Sequence, residues 1–271
     1  MNLELTNKIK KSIFGQLESI QEDVGLLLSS GVDSRVLLFS LLSLGKKVHV
    51  YSFRLDGVYS TDFVIAQSLA KQYGLEFTEI ILPNDINVLK RDVLYLINDL
   101  NLCKKADIEC SWAMMYAFKS INENVVVSGL GADDHFVLTK KGMIHYRDSV
   151  ESMDKYRAMI FSNPNHSQKQ TANLLCKNFN KTLIAPFLND DMFDIFKGTS
   201  WEELNKPHQK QVLLDIFPNE FAKTKLPKHS NLQLGDSGIA KHFTKLLDTD
   251  WKVGKSVVSI YNAIKNGKIT T

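Results

Sequence analysis

Residues 24–45 read VGLLLSSGVDSRVLLFSLLSLG. Val24–Leu28 is a short apolar run of the kind that forms a strand buried on both faces. Ser29-Ser30-Gly31-Val32-Asp33-Ser34 follows at once, and Ser34–Leu44 carries a helical apolar stripe that ends at Gly45. The order is strand, small-residue loop, helix. Such a loop presents backbone N–H groups and hydroxyls to an anion at the positive end of a helix. It is not a Walker A loop, because no Gly-Lys-Ser/Thr closes it, and it is not G-x-G-x-x-G. The competing reading is a structural strand-to-helix turn that holds no ligand.

Outward from this stretch the pattern repeats. Residues 4–21 space Leu5, Ile9, Ile13, Phe14, Leu17 and Ile20 as one face of a helix. Val48–Phe53 reads as a second strand and 54–60 as a loop. Thr61 is placed to cap a helix that runs to about Tyr73 and closes at Gly74. Glu76–Leu82 reads as a third strand stopped by Pro83, residues 85–100 and Cys110–Ile121 as helices, and Val125–Ser128 as a fourth strand. That strand runs into a second small-residue loop, Gly129-Leu130-Gly131-Ala132-Asp133-Asp134. Strands alternating with helices over short connections predict an α/β fold, a doubly wound parallel sheet with right-handed crossovers. Both small-residue loops then fall at strand carboxyl ends, where ligands bind in such sheets.

After about residue 145 the strand signal fades. Residues 150–217 read as mainly helical with a polar loop at 162–167, Leu183–Phe187 as a last short strand or an extended segment, and 239–266 as helix. Residues 222–238, AKTKLPKHSNLQLGDSG, are basic and unpatterned and read as a mobile loop. The expected organisation is an α/β domain over 1–145 and a C-terminal helical lobe over 146–271 packed onto it.

Composition narrows the class. The 271 residues are 44% hydrophobic and 23% charged, as in an ordinary globular protein. The net charge of +3, with acids and bases interleaved, argues for no nucleic-acid partner without excluding one. The longest apolar run, Val36–Leu44, is too short and interrupted to span a bilayer, and the N-terminus mixes charges as no signal peptide does. Cys103, Cys110 and Cys176 form no CxxC, which points to a reducing, cytoplasmic setting and no zinc site. Nothing in the sequence bears on oligomeric state.

Asp33 and Asp133 each end a strand loop. Two carboxylates facing a triphosphate suit Mg2+, which takes few protein oxygens and completes its shell with phosphates and water. The alternative for Asp33 is an acid favoured by the helix dipole.

Here a family resemblance emerges. The 29–34 loop resembles the SGGxDS pyrophosphate loop (PP-loop) of the ATP pyrophosphatases, with Ser30 in place of its first glycine. SGLGADDHF at 128–136 resembles the SGEGADELF segment of asparagine synthetases, and LIAPFLN at 183–189 their R-x-P-F-L-D segment. Asp107–Ser111 fits that family's D-x-T segment; Thr61, Asp62, Ala66, Leu69, Ala70 and Gly74 fit the stretch after its second strand. On these segments, in order over roughly residues 15–240, the chain is identified as a member of the asparagine synthetase-like family, which includes β-lactam synthetase and lasso-peptide cyclases.

The resemblance implies a Rossmann-like, adenine nucleotide alpha hydrolase-like fold. It implies an enzyme that adenylates a carboxylate with ATP and Mg2+, releases pyrophosphate and lets an amine attack. Ser29, Ser30, Gly31 and Ser34 would hold the pyrophosphate, and Asp33 and Asp133 the Mg2+. Leu27 and Leu55 would meet adenine through backbone groups; Ser128, Gly129 and Gly131 would lie beside the nucleotide. A family lysine in a late R-x-K segment faces the leaving pyrophosphate, a transition-state role for a positive charge. Counting forward from Pro218 selects Lys225; counting back from Gly235-Asp236-Ser237-Gly238 selects Lys228. Lys225 is the preferred choice.

Three departures limit the expectation. Asn2 stands where the asparagine synthetases' glutaminase cysteine would be, and about 20 residues precede the first strand, so glutamine is not expected to be the nitrogen donor. Leu130 stands where the family has Glu or Tyr and can accept no proton; Asp134 or His135 could serve instead as a base, with loop support the plainer reading of His135. Arg35 replaces a small residue and reads as a surface helix residue. His208, His229 and His242 lack metal-ligand spacing, and the Trp112, Met114, Met115, Tyr116, Phe118 cluster reads as core with one or two residues lining an acyl pocket. The competing functions are a base-modifying ATP pyrophosphatase like tRNA lysidine synthetase, and a nucleotide-binding protein that has lost catalysis.

Overall fold

A computed structural model of the chain describes residues 2–161, 167–226 and 235–270. Five strands form one parallel sheet: β1 (Val24–Leu27), β2 (Val48–Leu55), β3 (Glu76–Leu82), β4 (Val125–Val127) and β5 (Thr182–Ile184), in the order β3-β2-β1-β4-β5. The register pairs Val24 with Val48 on one side and with Val125 on the other. The doubly wound α/β architecture expected from the strand–helix alternation is the one present.

The sheet is buried on both faces, which is why its central strands read as continuous apolar runs. Val24, Leu26, Val48, Val50, Val125 and Val127 point to one core; Leu27, Tyr51, Leu55 and Val126 point to the other. The first core is covered by helices α1 (Leu3–Glu18), α2 (Val32–Ser43) and α3 (Thr61–Gln72). The second is covered by α4 (Ile86–Asn98) and α5 (Lys105–Ser120). Each fully buried aliphatic side chain contributes about 1.5–3 kcal/mol. Segments after residue 145 go to both faces. Met153, Met192, Leu204, Val212 and Phe221 join the first core; Leu175, Ile239, Phe243 and Ile260 join the second. The fifth strand also comes from this half of the chain.

Several boundaries differ from the sequence pattern for identifiable reasons. Ser60, not Thr61, caps α3, accepting from Phe63 N at 3.3 Å; Thr61 N and Oγ1 donate to Asp236 instead, at 2.9 and 2.6 Å. β2 runs on to Leu55 because Arg54 pairs with Glu79 of the neighbouring strand and Leu55 is buried. α5 begins at Lys105, five residues before Cys110, with Lys105 and buried Glu109 paired one turn apart. The first turn carries little apolar signal, so periodicity hides it. The expected helix over 239–266 is Ile239–Thr244, a 3-10 turn over Lys245–Asp248, and Val257–Lys265. The break spans Thr249-Asp250 and Gly254, where side-chain–backbone turns compete with helix.

Among the described residues, no helix is long and apolar enough to cross a membrane. The expected polar loop at 162–167 and the middle of the 222–238 loop fall mostly outside the described residues.

Candidate functional site

The strand order reverses between β1 and β4, and the two small-residue loops leave the carboxyl ends of those adjacent strands. That crevice is where open α/β sheets bind ligands. In the first loop Ser29 N donates to Ser34 Oγ at 3.0 Å, Gly31 N donates to Ser29 Oγ at 3.1 Å, and the two hydroxyls lie 3.0 Å apart. The loop is thus folded on its own hydroxyls before any ligand is considered. Gly31 is the N-cap of α2 and supplies no side-chain cap. The Ser30 N–H donates to Asp62 Oδ1 at 3.1 Å and its hydroxyl donates to the same oxygen. Asp62 is therefore the anchor of this loop.

The second loop lies directly against the first. A Cβ on Gly129 would stand 2.9 Å from Asp33 Cβ and 3.2 Å from Ser34 N, so only glycine allows this approach. Gly131 has φ +89°, the left-handed region, and an added Cβ there would press on Leu188 and on the Phe187 carbonyl. Ser128 is buried and its N–H donates to Ile184 O at 3.1 Å, tying the loop to β5. Leu27 and Leu55 bury their side chains in the second core, as residues that would meet a ligand through backbone must.

Asp33 and Asp133 are brought together by a residue the sequence did not flag. Lys210 Nζ donates to Asp133 Oδ1 at 2.6 Å and to Asp33 Oδ2. Its side chain is 3% exposed, against 17% for Asp33 and 32% for Asp133. Burial pulls the Lys210 pKa down, but the two carboxylates outweigh it and hold the ammonium's pKa raised. The backbone of Lys210 is left-handed, φ 59°, and its N–H donates to Asn205 Oδ1 at 3.0 Å. Asn205 in turn donates to Phe136 O at 3.2 Å, next to the second loop. A strained conformation held by such contacts is typical of a functional site. Residues 205–211, NKPHQKQ, show no motif. The one signal available was that two converging carboxylates require a cation.

Asp134 and His135 occupy the wall. Tyr156 OH donates to Asp134 Oδ1 at 2.6 Å, and burial raises the Asp134 pKa to about 6, with Asp133 adding to the rise and the Tyr156 bond opposing it. His135 is fully buried between Phe161 and Phe196, ring centroids 4.0 and 4.6 Å away, and its Nε2 donates to Phe187 O at 2.7 Å. Leu130 is half-buried. Lys225 is exposed at the side chain, while its carbonyl accepts from Arg35 at 3.2 Å. Lys228 and His229 lie outside the described residues.

Arg35 corrects a sequence expectation. It is fully buried, not a surface residue, because α2 is enclosed all round from Ser34 to Leu41. Trp112 and Phe118 are core, with Trp112 Nε1 and Tyr116 OH donating to buried Asp92 at 3.0 and 2.6 Å.

Asp33 and Asp133 offer hard carboxylate oxygens of the kind Mg2+ takes, and both already share one cation. Among the described residues, no group of three or more His, Cys, Asp and Glu could hold a metal ion.

A doubly wound sheet with a paired-carboxylate crevice at its strand-order reversal is an α/β architecture whose candidate site lies where such sheets bind ligands. The profile of the asparagine synthase family matches residues 4–230, and the chain belongs to that family. As a member of that family it is an ATP-utilising enzyme, with an all-parallel α/β sheet. A search of curated sequences finds no match. Among solved structures it is similar to the U34-tRNA thiolase NcsA from Methanococcus maripaludis with its [4Fe-4S] cluster, at 14% identity and TM-score 0.41, over 97% of this chain and 76% of that one. It is also similar to NMN synthetase from Francisella tularensis, at 14% identity and TM-score 0.37, over 84% of this chain and 99% of that one. Both are too distant to bear on function.

Proposed function

We propose that the protein is an AMP-forming carbon–nitrogen ligase: it adenylates a small-molecule carboxylate with MgATP and passes the acyl group to an amine or ammonia. The observation that carries this reading is the Asp33–Lys210–Asp133 cluster at the strand-order reversal, beside a self-organised small-residue loop. Asp33 and Asp133 would hold Mg2+, which supplies charge neutralisation at the phosphates. The first-turn amides of α2, with Ser29 and Ser34, would take the pyrophosphate. Lys210, lodged between the carboxylates, is placed to face the phosphates once they share the crevice.

In the first half-reaction a carboxylate oxygen bonds to the α-phosphorus as the bond from phosphorus to the bridging oxygen breaks, and pyrophosphate leaves. Lys225 would stabilise that departing charge. In the second, the amine nitrogen bonds to the acyl carbon, AMP leaves with the carbon–oxygen electron pair, and the amine loses a proton. Holding both reactants on one sheet edge supplies much of the rate. Leu130 supplies no base. The contacts of Asp134 and His135 favour wall roles for both, so the amine's proton would pass to another group or to water. Three free cysteines support a reducing, cytoplasmic setting.

The test is ATP–pyrophosphate exchange with pools of carboxylates. Asp33→Asn is expected to abolish exchange while circular dichroism and the melting temperature show a folded chain; full exchange by that variant overturns the metal assignment. Turnover that depends on added nucleic acid, rather than on carboxylate and amine, would move the reading to a base-modifying ATP pyrophosphatase. Binding of ATP without turnover in every pool would mark a protein that has lost catalysis, the reading that Leu130 keeps alive.

A further inference from the structure

Arg35 follows the first loop directly and lies in the first turn of α2. Its guanidinium is fully buried, and none of the ion pairs among the described residues includes it. Burial pulls its pKa down to about 10. A buried charge without a carboxylate is costly unless its donors are used. Its two terminal nitrogens reach two places, while Nε has no hydrogen-bond partner among the described residues. One nitrogen donates to the Ser30 carbonyl at 3.5 Å and to the Lys225 carbonyl at 3.2 Å; the other donates to Thr224 Oγ1. The planar group lies over the Phe221 ring, 5.0 Å from its centroid. Thr224 Oγ1 also bonds back to the Glu220 and Phe221 carbonyls, closing the end of the helix Pro218–Ala222.

One side chain thus joins the pyrophosphate loop to the segment carrying Lys225, residues 190 apart in sequence. We infer that Arg35 is a positioning residue: it fixes the backbone of Thr224-Lys225 against the 29–34 loop, and so sets where the Lys225 ammonium can reach relative to the leaving pyrophosphate. The inference rests on the ligase reading for the role of Lys225, but the tie itself does not. A planar fork suits the task, because it can satisfy two carbonyls and a hydroxyl in fixed directions while stacking on an aromatic ring. A lysine keeps the charge and can hold only one end at a time.

The experiment compares Arg35→Lys and Arg35→Met with the wild type in the full chain. Hydrogen exchange mapped to peptides is the first readout. Faster exchange confined to 29–34 and 221–226 in Arg35→Lys supports the tie, and unchanged exchange in both variants overturns it. ATP–pyrophosphate exchange is the second. Arg35→Lys is expected to lower kcat tenfold or more with the KM for ATP within about twofold, and to add no further loss in a Lys225→Ala background. A rise in KM alone, or losses that multiply in the double variant, would overturn the positioning role. If the wild type performs no exchange reaction, the ligase reading fails, and the hydrogen-exchange comparison alone decides for or against the tie. Arg35→Lys keeps the positive charge at the same place, so it decides the matter even if Arg35→Met does not fold.

Discussion

Lys210 shows how a single residue can govern the site. Its ammonium offsets two carboxylates that would otherwise repel each other at the crevice. Lys210→Met should therefore destabilise the fold by about 2–3 kcal/mol, below the usual range for a fully buried pair because Asp33 and Asp133 keep partial solvent access. Millimolar Mg2+ should recover part of that loss in the variant and change the wild type little, as read by melting temperature with and without the ion. Equal Mg2+ responses would show that the carboxylate pair is not a cation site. Asp33 and Asp133 were legible in the sequence because each ends a local strand–loop pattern. Lys210 was not, because its role depends on a contact across 177 residues and its own surroundings carry no pattern.

Among the elements, α2 and the C-terminal helices are the instructive cases. The run VLLFSLL in α2 is apolar all round, and a helix of that kind is buried. That signal was present, and it contradicts a surface role for Arg35. On the other face, the helix Ile239–Thr244 presses His242 against Trp112, ring centroids 5.5 Å apart, with Lys245 nearby and Asp85 opposing. Burial, then Lys245, hold the His242 pKa down at about 4, against 6.5 for the ordinary group. Between pH 6.5 and 4 the unfolded chain takes up a proton that the folded chain refuses, so stability falls as pH falls through that window. The full effect is on the order of 3 kcal/mol. His242→Gln should flatten this part of the profile, measured by urea unfolding at about pH 7 and about pH 4.5, either side of most of that window; an unchanged slope would place the acid sensitivity elsewhere.

For the whole molecule, both cores share one sheet and the second half of the chain serves both. β5 and the helix Ser167–Asn178, which packs on α5, come after residue 145, as do the segments that close the first core. The expected outcome is one cooperative transition in urea, coincident by far-ultraviolet circular dichroism and tryptophan fluorescence. Residues 1–145 alone should show no such transition, since β4 would become a bare edge and both cores would be open. Two separated transitions would instead mark independently folding halves.

The architecture and the two loops follow from the order of residues along the chain. Strand–helix alternation, buried apolar runs and small-residue loops are local signals, and local signals survive in a string of letters. The same order places Asp33 and Asp133 on those loops. It takes the packed chain to put Lys210 between them, Asp62 against Ser30, and the Arg35 guanidinium inward against Thr224 and Lys225. Those contacts join residues 32 to 190 positions apart, and a charged side chain's partner is set by which chain segments pack together, not by its sequence neighbours.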